Sequence, residues 1–229
     1  MTRITRACFS FAALLTVSGL APAEAQPMRG PYGGSPQGYT SPSPEDAALG
    51  KQLAAKKCAA CHGPDGNSPV PQFPKIAGQN PAYFYDQLLA FKTGARPSQA
   101  MAQAVAGLSG ADAINLAWFY SEQPVRPDPV TERDLARLGE QIFFERGPGS
   151  PPCAICHAAD GGRMGMMGMM GGGAGGPVPN LNGQHAAYTL EQLNQYAADA
   201  RPDGVMNRVA AALTESERRA VAEYLAGSP

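Results

Sequence analysis

Much that ordinarily holds a chain of this size together is scarce here. The 229 residues include five cysteines, three histidines and one tryptophan, and aromatic residues make up 7% of the whole. Four of the cysteines belong to the motifs described below and the fifth, Cys8, lies in the leader. No cysteine is left over for a structural disulfide, so something else must staple the fold. Lysine plus arginine (18) and aspartate plus glutamate (19) nearly cancel, which removes the basic footprint of a nucleic-acid binder. Long apolar runs are missing as well. The one from Cys8 to Leu20 is too short for a bilayer span and is broken by Ser10, Thr16, Ser18 and Gly19. No stretch alternates as a strand would, so the chain reads as all-α.

What is present begins with a secretory leader over residues 1–25. Arg3 and Arg6 precede the apolar stretch, and Ala23-Glu24-Ala25 fits the small-x-small cleavage rule, with Gln26 as the new N-terminus. A membrane anchor is the alternative, and Cys8 stands too early to be a lipoprotein cysteine. Residues 26–44 are rich in proline, glycine and serine and cannot bury enough apolar surface to order themselves. They read as a disordered tether.

The rest is organised around a five-residue run that occurs twice, Cys58-Ala-Ala-Cys61-His62 and Cys153-Ala-Ile-Cys156-His157. Cys-x-x-Cys-His is the signature of c-type haem attachment. Two thiols three positions apart lie on one side of a helical turn, where they can add to the two vinyl groups of one haem, and the next residue aims its imidazole at the iron. A lone Cys-x-x-Cys would also suit a redox disulfide or half a zinc site. Two copies, each followed by histidine in an exported chain, point to two covalent haems held by Cys58, Cys61, Cys153 and Cys156.

The two motifs mark an internal duplication. Gly78-Gln79, Tyr83, Gln87-Leu88, Ala95-Arg96-Pro97, Met101, Leu108 and Ala117 match Gly183-Gln184, Tyr188, Gln192-Leu193, Ala200-Arg201-Pro202, Met206, Leu213 and Ala222 at one offset of 105. At the cysteines the offset is 95, so ten further residues follow the second motif. The boundaries this gives are a first domain over 45–122, a linker over 123–130, and a second domain over 131–229 with a Met/Gly-rich insertion near 162–176. Each copy reads as three helices and loops. The first helices start at Ser43 and Thr131, with Asp46 and Asp134 as capping-box partners, and the second of them is expected to bury Leu135, Leu138 and Ile142. The middle helix of the first copy runs from Asn80-Pro81 to Gly94, with Phe84, Leu88 and Phe91 on one face. The last helices begin at Ser109 and Thr214, with Asp112 and Glu217 completing capping boxes. Domains this small have marginal apolar cores, and a haem at the centre of each would supply the missing bulk.

His62 and His157 are read as the proximal iron ligands. The third histidine, His185, stands where the first copy has Asn80 and reads as a capping or surface residue. Met101 and Met206 recur at a loop position past an Arg-Pro pair and are read as the distal ligands, since a thioether suits low-spin iron; a plain core role is the alternative. Pro74 and Pro179 recur after each motif, where a carbonyl would accept from the ligand histidine or simply form a turn. Five methionines within the seven positions Met164–Met170 form either a low-complexity surface loop, a Cu(I) site or a partner contact.

On these residues the chain resembles a di-haem class I cytochrome c of the cytochrome c4 family. The resemblance rests on both Cys-x-x-Cys-His motifs, the Pro-x-Ile/Leu-x-Gly-Gln runs, Tyr83 and Tyr188, Phe91-Lys-Thr-Gly-Ala-Arg96, and Met101 and Met206, and it covers roughly residues 45–227. It implies two tandem cytochrome c-type domains packed face to face, each wrapped around one covalent haem. It places Pro74 and Pro179 behind the ligand histidines, and packs Gly50 and Gly139 against Phe119 and Tyr224. It implies a non-enzymatic periplasmic electron carrier, passing electrons from a quinol-oxidising complex to a terminal haem–copper oxidase without spanning the membrane. The cytochrome subunit of a dehydrogenase complex is a second reading. A di-haem peroxidase is a third, weakened by the short chain and the lack of spare histidines. Charge differs between the copies. Residues 45–125 carry six basic and six acidic side chains and every lysine, whereas from Arg126 onward nine basic residues face twelve acidic ones; either the two halves steer different partners or the difference is drift on solvated surfaces.

Overall fold

The computed structural model describes residues 42–145, 151–157 and 178–229. The leader, most of the tether and the Met/Gly-rich insertion lie outside the described residues. Every described element is helical, and the helices form two similar domains.

In the first half, α1 (Pro44–Leu53) passes through a π-turn (Ala54–Cys58) into α2 (Ala59–His62), so a nearly unbroken helical stretch carries the first motif. Ser43 starts it as expected: its hydroxyl accepts from the Asp46 N–H at 3.1 Å, and Pro44 takes the first turn. Asn80 caps α3 (Pro81–Thr93), and Gly94, with φ of 79°, ends it. Two further helices follow, α4 (Gln99–Val105) and α5 (Gly110–Ser121), the latter opened by the reciprocal Ser109–Asp112 box. Helices α1 and α3 pack on α5 around Phe84, Tyr85, Leu88, Val105, Leu116 and Tyr120. Phe91, expected on the same buried face, is only partly covered and packs at the edge of this cluster.

The second half repeats the plan with α6 (Arg133–Glu145), a 3₁₀ turn at Cys153–Ile155, α7 (Ala186–Ala197), α8 (Met206–Ala211) and α9 (Glu215–Gly227). The Thr214–Glu217 box opens α9. Three expectations change. Each copy has a short fourth helix, α4 and α8, where a loop was expected. Thr131 does not cap α6, which begins two residues later; its N–H and hydroxyl, with the Glu132 N–H, donate instead to Glu223 Oε1 of α9 at 2.7, 2.9 and 2.9 Å. A carboxylate from across the domain thus replaces the local cap. The buried face of α6 is also rotated: Ala136, Gly139 and Phe143 are buried, while Leu138 is 43% exposed and Leu135 and Ile142 are half-buried.

Glycine at 139 causes that rotation. A Cβ there would overlap the Ala220 carbonyl oxygen and sit 2.8 Å from Tyr224 Cβ. Gly50 repeats the contact in the first domain, where a Cβ would strike the Asn115 carbonyl oxygen and lie 3.3 Å from Phe119 Cβ. Only a residue without Cβ lets the first and last helices of each domain approach backbone to backbone, so α6 turns its glycine, not its leucines, to α9.

The two domains face one another about an approximate twofold axis. Arg96 Nη1 donates to Gln87 Oε1 at 2.7 Å, and its Nη2 crosses to Tyr188 Oη and Gln192 Oε1, both at 2.8 Å. Arg201 mirrors it, to Gln192 at 2.7 Å and to Tyr83 and Gln87, both at 2.8 Å. Val125 of the linker lies between the turns at Gly78 and Gly183. A Cβ on Gly78 would lie 2.5 Å from Val125 Cγ2, and one on Gly183 would strike Val125 Cγ1. The linker is pinned along its length: Pro124 O accepts from Asn67 Nδ2 at 2.9 Å, the Arg126 N–H donates to Asn67 Oδ1 at 2.9 Å, and the Asp128 N–H donates to Ala226 O at 2.8 Å.

Candidate haem sites

Each motif histidine is oriented by a proline carbonyl twelve or twenty-two residues downstream. His62 Nδ1 donates to Pro74 O at 2.8 Å, and His157 Nδ1 donates to Pro179 O at 3.1 Å. Using Nδ1 this way fixes the tautomer and leaves Nε2 with no hydrogen-bond partner among the described residues, which is the arrangement an iron-ligating imidazole requires. Burial pushes both imidazoles down from their ordinary range, against the opposing pull of the Pro74 carbonyl on His62 and of the Pro179 carbonyl and Asp203 on His157. The neutral ring is the one that binds metal.

Among the described residues none of the four motif cysteines forms a disulfide. Cys58 packs against the first core cluster, and burial raises its thiol even with the Tyr120 hydroxyl and Lys57 pulling the other way. Cys61 and Cys156 are exposed. Met101 and Met206 do not sit in loops. Met101 is the third residue of α4 and Met206 the first of α8, and both are held by the side chain three positions earlier: Met101 N–H donates to Ser98 Oγ at 3.3 Å and Met206 N–H to Asp203 Oδ1 at 2.8 Å. Met101 packs at the edge of the first core cluster. A helix start with a local cap fixes the backbone of each methionine while leaving its flexible thioether to reach inward.

The residues present fit a haem. The donor set of two thiols, an imidazole with Nε2 uncommitted and a thioether recurs in both halves.

His185 is neither a surface residue nor a side-chain cap. It occupies the residue before α7 but makes no capping bond, and it is 4% exposed. Its Nε2 donates to Ser68 O of the first domain at 2.9 Å, and its Nδ1 faces Asp128 Oδ2 at 2.6 Å. Lys75 Nζ, itself buried, reaches the other oxygen of Asp128 and the Arg126 carbonyl, both at 2.5 Å. Burial alone would raise the Asp128 carboxyl, but Lys75 and His185 hold it below the usual carboxylate range. Sequence reasoning missed this cluster because its members are scattered over three segments and appear in one copy only. It also missed that Tyr83, Gln87 and Arg96 and their partners are interface residues. The available signal was their repetition as polar residues, with Tyr83 and Gln87 four positions apart on one helix face.

Comparison with known proteins agrees with this arrangement. The cytochrome c family pattern matches residues 47–124 and 136–228. Cytochrome c4 of Thiocapsa roseopersicina is 36% identical over 200 residues, covering 83% of this chain and 97% of that protein. The crystal structure of reduced recombinant cytochrome c4 from Pseudomonas stutzeri superposes with a TM-score of 0.70 at 34% identity, covering 80% of this chain and 98% of that one. A thiosulfate dehydrogenase electron acceptor of Thiomonas intermedia is 34% identical over 184 residues, covering 76% of this chain and 80% of that protein. With two helical domains, two motifs and these relatives, the chain belongs to the cytochrome c family as a di-haem class I cytochrome c of the cytochrome c4 family, an electron-transfer protein with two covalently bound haem c groups.

Proposed function

We propose that the mature chain is a periplasmic carrier that passes electrons between respiratory complexes, ending at a terminal haem–copper oxidase. Cys58, Cys61 and His62 with Met101 would hold one haem, and Cys153, Cys156 and His157 with Met206 the other, within domains spanning 45–122 and 131–229. The observation that carries this reading is the pair of His–Pro hydrogen bonds, repeated in both halves, which commits Nδ1 and leaves Nε2 for iron. When bound, haem supplies a one-electron Fe(III)/Fe(II) couple. The protein's part would be to present His62 with Met101, and His157 with Met206, to the two haems, keep both imidazoles neutral and tune each couple through the carbonyls of Pro74 and Pro179. Holding each haem through both a histidine and a methionine would leave no coordination position for a substrate, which supports a carrier over an enzyme. The leader over residues 1–25 supports export, and no helix among the described residues is long and apolar enough to cross a membrane.

A second reading is that the direct donor is a dehydrogenase, which the likeness to a thiosulfate dehydrogenase electron acceptor favours. Stopped-flow oxidation of the reduced protein by membranes of the source organism tests the first reading, with peroxide as a parallel oxidant. Rapid oxidation that slows with ionic strength supports it. Slow, salt-independent oxidation combined with fast peroxide turnover would replace the carrier with an enzyme. Rapid reduction by a copurifying dehydrogenase identifies the donor of the second reading.

A further inference from the structure

Beyond the motif histidines and their proline carbonyls, the structure holds a pair of contacts that cross between the domains. Gln184, in the turn that opens the second domain's α7, reaches back to the first domain. Its Oε1 accepts from the Lys75 N–H at 2.9 Å and its Nε2 donates to the Lys75 carbonyl at 2.7 Å. Gln79, its counterpart, does the same in the opposite direction: Oε1 accepts from the Asn180 N–H at 2.8 Å and Nε2 donates to the Asn180 carbonyl at 2.9 Å. Each Oε1 also accepts from the N–H of the next residue in its own domain, His185 at 3.1 Å and Asn80 at 2.9 Å, which fixes the carboxamide's orientation.

The place where these carboxamides bind matters more than their number. The Lys75 N–H and the Pro74 carbonyl belong to one planar peptide unit, and that carbonyl is the acceptor for His62 Nδ1. The Asn180 N–H and the Pro179 carbonyl likewise share one peptide unit, and that carbonyl receives His157 Nδ1. A peptide whose N–H is hydrogen-bonded has a more polarised carbonyl and is a better acceptor, because resonance couples its two ends. The chain of contacts therefore runs from the ring N–H of one domain's histidine, through a single amide, to a glutamine of the other domain.

We infer that Gln184 and Gln79 are positioning residues in trans, each tuning the iron-ligating histidine of the opposite domain through the shared peptide unit. This rests on His62 and His157 being the proximal ligands. A stronger acceptor at Nδ1 makes the imidazole more basic, favours Fe(III) and lowers the potential. Docking of the domains thus becomes part of the redox chemistry of each: neither domain alone carries the full set of groups behind its own histidine.

The experiment uses the full di-haem protein. Met101→His and Met206→His first assign the two potentials to their domains, since each replaces a thioether by a second imidazole and lowers its own iron's potential. Gln184→Leu and Gln79→Leu are then titrated. Gln184→Leu is expected to raise the potential of the first domain's haem, with a shift at the second haem at most about one third as large; Gln79→Leu is expected to do the reverse. In the reduced, diamagnetic protein, the Nδ1–H resonance of His62 should move upfield in Gln184→Leu and that of His157 in Gln79→Leu, as a weaker hydrogen bond demands. Tyr83→Phe removes an interdomain bond to Arg201 without touching either relay and should leave both potentials and both resonances in place. Equal shifts at both haems from either variant, a fall instead of a rise, or the same response in Tyr83→Phe would show general loosening of the interface and overturn the relay alone. Failure of the assignment variants to lower one potential each would overturn the ligand set and the relay with it.

Discussion

The two domains share a plan but solve three local problems differently. In the first, α1 runs through its π-turn straight into the haem motif. In the second, six further residues stand between the close-approach glycine and the first cysteine, and the run Gly147-Pro-Gly-Ser-Pro-Pro152 among them brings three prolines, which disfavour a helix interior. The motif there opens on a 3₁₀ turn. The residue before the middle helix differs as well. Asn80 accepts from the Ala82 and Tyr83 N–H groups as an ordinary cap, whereas His185 abandons capping, worth about 1 kcal/mol, to bolt its domain to Ser68 and Asp128. One duplicated position thus serves a helix end in one copy and the domain interface in the other. A third difference lies at the position shared by Trp118 and Glu223: the first is an aromatic whose buried N–H has no partner among the described residues, the second a carboxylate that collects three donors at the start of α6. After duplication, the matched residues kept the twofold interface, and the unmatched ones came to lock the linker and α6.

The comparison can be tested by disturbing the halves in parallel. The largest effect belongs to the proposed methionine ligands. Met101→Ala or Met206→Ala should each cost one iron its low-spin state and remove about half of the far-red Met–iron absorption, since two equivalent haems contribute. An unchanged spectrum in either variant would assign that methionine to the core. Next come the glycines. Gly139→Ala should destabilise the second domain by about 3 kcal/mol, and Gly50→Ala the first by a similar or smaller amount, read by denaturant unfolding of each variant. The overlap with a backbone carbonyl leaves no flexible side chain to yield. Equal stability to the parent would show that the helices can separate at no cost.

Glu223→Gln comes third. It should lower stability by about 1–2 kcal/mol through the lost charge-assisted bonds to the start of α6, with faster amide exchange at Thr131 and Glu132. Trp118→Phe at the matching position should lack that signature. The linker lock is smaller. The Asp128 carboxyl lies below its ordinary value of 3.8 in the folded protein. A carboxyl depressed on folding contributes stability that is complete above the unfolded value and lost as pH falls through the folded one. Docking should therefore be independent of this group above pH 3.8 and weaken below it, and Asp128→Asn should impose the loosened state at neutral pH. Hydrogen exchange at the Lys75 and Asp128 amides reads both, and a variant insensitive to the substitution would remove Asp128 from the interface. The smallest expected effect is deletion of Gly165 to Gly173, which should leave haem content and both potentials unchanged, because the first copy has no such segment. Tight Cu(I) binding lost on deletion would give the insertion a role of its own.

Much of this architecture is legible in the residues themselves. Cys-x-x-Cys-His, the repeat at a constant offset and the Ser/Thr caps with an acid three positions on are short-range patterns, and the caps at Ser43, Ser109 and Thr214 appear as the sequence implies. Thr131 breaks the pattern for a reason that no local window contains: Glu223 is 92 residues away and offers a charged acceptor. Leu138 breaks it because helix periodicity identifies a stripe but not its exact rotation, and the Gly139–Ala220 approach set that rotation.

The sequence by itself determined the three main helices of each copy and the duplication, and it pointed to the four motif cysteines and to the prolines behind the motif histidines, because each depends on groups close in the chain or repeated in register. Tertiary structure alone decided which polar residues meet across the domains. Tyr83, Gln87 and Arg96 face Tyr188, Gln192 and Arg201, and Gln79 and Gln184 each bond a residue of the opposite domain, Asn180 and Lys75, only once two folded copies dock about a common axis. Hydrogen bonds between groups about a hundred residues apart have no local trace, since any polar side chain satisfies its neighbours equally well in water until packing removes the water.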